Sequence, residues 1–87
     1  MEGHELELDN GNVKPFLAKR NFGLLLIEGT GTLTLSYSLD GEKWDDDTKT
    51  IAIPQSGYVN VETEFVSLAY YKITTTGTIT KCCIKYA

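Results

Sequence analysis

The sequence predicts an all-β fold: a small antiparallel β-sandwich, jelly-roll or immunoglobulin-like, of seven or eight strands in one domain over residues 1–87. Three observations predict it. Apolar residues recur with the two-residue period of strands, and no full window carries the 3.6-residue spacing of a helix. Thr, Val, Ile and Tyr, which suit a pleated surface, are common. Turn signals come every eight to twelve residues, the spacing of a sandwich.

The elements follow in order. Leu6 and Leu8 alternate with Glu5, Glu7 and Asp9, giving an edge strand whose acids deter foreign strands. Asp9-Asn10-Gly11-Asn12 is a turn. Residues 13–18 make a short piece that Pro15, unable to donate to a ladder, confines to an edge or a loop. Residues 22–27 are continuously apolar and read as a central strand covered on both faces. In residues 32–39, Leu33, Leu35, Tyr37 and Leu39 form the buried face, leaving Thr32, Thr34, Ser36 and Ser38 as a solvated hydroxyl face.

Asp40-Gly41 predicts a tight hairpin, because such turns need positive φ at their centre. Ile51 and Ile53 then alternate along a strand stopped by Pro54. Val59 and Val61 face one way along residues 58–65. Residues 66–74 follow, and residues 78–86 close the chain. Gly31-Thr32-Leu33-Thr34 and Gly77-Thr78-Ile79-Thr80 look alike, as one structural solution used twice.

Composition narrows the function classes. A domain of 87 residues with 41% hydrophobic content supports one thin core and would gain from a partner chain. Its 8 Lys and Arg are outnumbered by 12 acids, so nucleic acid is not an expected partner. No apolar run reaches membrane-spanning length, and no membrane association is expected. Met1-Glu2-Gly3-His4-Glu5 lacks the basic start of a signal peptide, so cytoplasmic synthesis is expected, with virion association as a further possibility. Cys82 and Cys83 are adjacent, so in a strand they point to opposite faces, and both are expected reduced.

Catalytic chemistry is sparsely supplied. The single histidine, His4, sits at the terminus, and a Ser or Cys nucleophile would have no other imidazole base. The expectation is a non-enzyme with no cofactor and no bound metal. Asp40, Glu42, Asp45, Asp46 and Asp47 fall within eight residues, and calcium takes such oxygens, but their spacing differs from an EF-hand loop and suits a solvated hairpin tip. The candidate ligand-binding set is Trp44, Tyr37, Asp45, Asp46 and Tyr70: aromatic rings that could stack on a sugar beside an acidic loop. The competing reading packs Trp44 across the hairpin onto Tyr37 or Leu39.

Ser36-Tyr37-Ser38-Leu39-Asp40-Gly41-Glu42-Lys43-Trp44 contains the string S-x-D-G-x-x-W, which resembles a strand-turn-strand of discoidin-type carbohydrate- and lipid-binding sandwiches and, more loosely, the Asp-box hairpin. Over residues 24–87, the run I-E-G-T-G-T-L-T-L-S-Y-S-L-D-G-E-K-W and the later Y-Y-K-I-T-T-T-G-T-I-T are similar in style to small β-sandwich accessory proteins of tailed phages and prophages. That resemblance implies a head-decoration, head-fibre or tail subunit, self-associating as a homo-oligomer and docked on a larger protein assembly. The alternative expectation is a carbohydrate-binding module with a glycan as partner.

Overall fold

The computed structural model describes residues 3–86, with the side chains of residues 46–49 outside the description. Nine strands run in order: β1 (His4–Glu5), β2 (Leu8–Asp9), β3 (Asn12–Leu17), β4 (Phe22–Gly29), β5 (Thr32–Ser38), β6 (Asp45–Ala52), β7 (Tyr58–Glu64), β8 (Tyr70–Thr75) and β9 (Ile79–Tyr86). They form a four-stranded sheet, β1-β9-β4-β7, and a five-stranded sheet, β2-β3-β8-β5-β6, in which every pairing is antiparallel. Four of the pairings nest: β5 with β6, β4 with β7, β3 with β8, and β1 with β9. This is one long hairpin rolled into two layers, so of the two sandwich types the sequence left open, the pairing is that of the jelly roll.

The strand count exceeds the expectation because the first strand divides. Residues 4 and 5 pair with β9 in one sheet, whereas residues 8 and 9 pair with β3 in the other. The Leu6 amide still donates to the Cys82 carbonyl at 2.8 Å, so the chain crosses between sheets without losing that bond. Pro15 sits in β3 where the pairing with β8 shifts register, between Val13 and Phe16. β3 is thus flanked by β2 at its start and is not the plain edge or loop expected, and the irregularity accommodates a residue with no amide hydrogen.

The core lies between the sheets. Leu25, Ile27 and Leu33 are wholly buried, with Leu35, Ile73, Ile79, Cys82 and Ile84 nearly so. Each buried Leu or Ile contributes roughly 1.5–3 kcal/mol relative to exposure. One end of the core is aromatic: the Phe65 ring meets Tyr71 edge-on at 4.9 Å, with Phe16 and Tyr86 each at 6.3 Å. Gly23 makes room for it, since a Cβ there would come within 2.8 Å of the Phe65 ring.

Three further expectations are corrected. β4 is central but covered on one face only: Gly23, Leu25 and Ile27 are buried, while Phe22 and Leu24 on the other face are 50% and 42% exposed. On β5 the hydroxyl face is not fully solvated, since Ser36 and Ser38 are buried and Leu39 is the exposed residue. Residues 66–69 form a turn, not a strand, in which Leu68 adopts φ 68° and its amide donates to the Ala18 carbonyl.

Candidate functional site

Asp40-Gly41 does not close a tight two-residue hairpin. Residues 39–44 form a wider loop between β5 and β6, and Asp40 organises it. Its Oδ1 accepts the Glu42 amide at 2.8 Å, the Lys43 amide at 2.9 Å and the Ser38 hydroxyl at 2.9 Å. Ser38 Oγ in turn accepts the Gly41 amide at 2.8 Å. Hydrogen bonds that favour the charged carboxylate, first from Lys43, then Glu42, then Ser38, hold the Asp40 carboxyl below its usual value of 3.8. The clamp is therefore fully present above that ordinary value and is lost only as pH falls through the lower folded one. The loop lies against the outer face of β8: a Cβ on Gly41, whose φ is 81°, would touch the Tyr70 ring at 3.6 Å.

The sequence-predicted ligand set is divided between two faces. Residues directly opposite in an antiparallel ladder share a face. Tyr37 is paired with Tyr71 on one side and Asp45 on the other, and its ring packs 6.2 Å from that of the buried Tyr71. Tyr37 and Asp45 are thus brought together, lining a shallow open hollow with Leu39, Asp40 and Lys43. Tyr70, paired with Ser38, and Lys72, paired with Ser36, belong to the opposite face. Trp44 joins them, with the Lys72 ammonium 4.5 Å from its ring centroid, a cation–π contact. Trp44 therefore leans on Lys72, on the face opposite Tyr37. The Asp46 backbone pairs with Ser36, but the Asp46 and Asp47 side chains lie outside the described residues. Among the described residues no group of three His, Cys, Asp or Glu side chains converges as a metal cage would.

Sequence reasoning missed a second surface, the outer face of the β1-β9-β4-β7 sheet. Phe22, Leu24 and Leu26 project from β4 along its midline, beside half-buried Cys83 of β9. The signal was present in the sequence: a continuous apolar run is compatible with one covered face and one that awaits a partner. On the inner side of the same strand Cys82 is buried, and that burial, with a smaller effect of Cys83, pushes its thiol pKa up to about 12. Cys82 is a core residue held in the thiol form at neutral pH.

No family model matches the chain, and neither the curated proteins nor the solved structures contain a significant match.

The two ends of the sandwich are unlike. At one, Thr and Gly loops are bound to each other: Thr75 Oγ1 donates to the Thr30 carbonyl, and the Thr78 amide donates to Thr30 Oγ1. The two look-alike segments meet here, Gly31 against Gly77. The other end carries exposed Leu17, Leu39, Val66 and Leu68.

Proposed function

We propose that this chain is a non-enzymatic structural module that self-associates and docks on a larger protein assembly, in the manner of the tailed-phage accessory subunits its sequence resembles. The jelly roll serves capsid proteins and lectins alike, so the fold does not choose between them. The observation that carries the reading is the apolar midline of the outer sheet face. An interior strand with Phe22 half exposed and Leu24 nearly so presents to water what a partner chain would cover. Two polar residues of the kind that signal chemistry have structural uses: Asp40 fastens a loop, and Cys82 fills the core. Glycan binding is the weaker reading, because Lys72 already occupies the Trp44 ring and Tyr37 lies on the opposite face.

Light scattering at rising protein concentration tests the proposal. The expected mass climbs from 9.7 kDa to a multiple of it, with or without calcium. A mass that stays at 9.7 kDa at every concentration contradicts self-association.

A further inference from the structure

The outer face of the β1-β9-β4-β7 sheet carries a charge pattern as well as an apolar stripe. In the row through Leu24, β9 supplies Lys85 and β7 supplies Glu62, and both are exposed. Neighbouring strands lie about 4.8 Å apart, so the cation and the anion flank the leucine at equal distances on opposite sides. Phe22 and Leu26 stand about 7 Å from Leu24 in either direction along β4. The apolar stripe is thus central, and charge of one sign borders each side of its midpoint.

We propose that this face is the contact between two copies of the chain, related by a two-fold axis running along β4 through Leu24. The proposal rests on the self-association reading above and supplies its surface and symmetry. A two-fold contact must be complementary to itself, so that residue i meets j and j meets i. Rotation about β4 lays β9 of one copy over β7 of the other. Lys85 then faces Glu62 of the second copy, and Glu62 faces its Lys85. Phe22, Leu24 and Leu26 each meet their own counterparts on the axis. A two-fold axis running across the strands would instead oppose Lys85 to Lys85 and Glu62 to Glu62. The charge pattern therefore selects the first axis. Glu28, farther along β4, lies 4.0 Å from Lys81 Nζ on the same face.

The sheet edges point the same way. Glu5 lies on edge strand β1, Asp9 on β2, Asp45 on β6, and Glu62 and Glu64 on β7. Two copies meeting edge to edge would bring like charges together, which discourages strand addition and leaves the face as the favourable route. β4, β7 and β9, about 4.8 Å apart over seven residues at about 3.4 Å each, together with the two residues of β1, offer roughly 750 Å² across both copies. That is below the size of a standard specific interface, so the contact is a weak, reversible one.

Sedimentation of the native chain beside Glu62→Lys, Lys85→Glu, the double exchange and Leu24→Glu tests this, with circular dichroism confirming that each variant folds. Each single reversal turns two attractive pairs into two repulsive ones and is expected to weaken the dimer about tenfold. The double exchange is expected to return the native affinity, and an equimolar mixture of the two single variants to form the mixed dimer. Leu24→Glu is expected to abolish association. Single reversals with native affinity, or a double exchange no better than either, overturn the axis. Association that survives Leu24→Glu overturns the face while leaving self-association intact. A native chain that is monomeric at every concentration overturns self-association itself, and this proposal with it.

Discussion

Thr63 lies on the inner side of β7, opposite Gly23, and its hydroxyl is the one side-chain polar atom among the described residues that is buried without a hydrogen-bond partner. A buried hydroxyl that has given up water and gained nothing costs stability. Thr63→Val keeps the branched shape and removes that group, so it is expected to stabilise the fold by about 1 kcal/mol. In thermal denaturation this reads as a rise in Tm of roughly 4–8 °C for a domain of this size. A lower Tm would show that the hydroxyl has a partner. Ser38 shows the opposite case. It is equally buried, but its Oγ donates to Asp40 and accepts the Gly41 amide, so the same chemistry fastens a loop.

At the scale of elements, the joint between the two Gly/Thr loops is the tightest. Gly31 has φ 96°, and a Cβ on it would run into the Gly77 backbone and lie 2.7 Å from Thr75 Oγ1. Gly31→Ala combines an unfavourable backbone conformation with overpacking and is expected to cost about 2–3 kcal/mol, measured by urea denaturation. A cost below about 0.5 kcal/mol would mean that the loops separate freely. Much of this level was legible in the sequence. The alternation of β7 and the reversals at Gly31 and Gly77 could be read directly, because period and turn chemistry are local properties. The hidden parts depend on tertiary neighbours. Whether Phe22 and Leu24 are covered depends on whether a third layer exists, which the run itself does not state. The burial of Ser36 and Ser38 arises from a loop and from residues of β8 more than thirty positions away. Asp40-Gly41 signals a reversal but not its width, which is set by how many amides the Asp40 carboxylate gathers. For the candidate site, the pairing of Tyr37 with Asp45 agrees with their nearness in sequence. The placement of Trp44 against Lys72 does not follow from any local pattern.

At the scale of the molecule, a jelly roll of nine strands closes its core well and leaves one sheet face apolar along the middle. Its edges are acidic, one end is knitted by hydroxyls, and the other carries exposed aliphatic side chains. Such a body has a directional surface: the face suits a second copy, and the aliphatic end is left outside that contact. The central claim is that the outer face of β4 becomes covered as the chain associates. Cys83 reports on it without any mutation, because it stands on that face beside Leu26. Cys82, with its thiol pushed up to about 12, stays silent at neutral pH. The most direct measurement is the rate of alkylation of Cys83 at pH 7.5, followed as the protein concentration rises. The account predicts a rate that falls as association proceeds, by about tenfold or more once the dimer dominates. A rate independent of concentration, in a sample shown to associate, would place the contact elsewhere on the molecule.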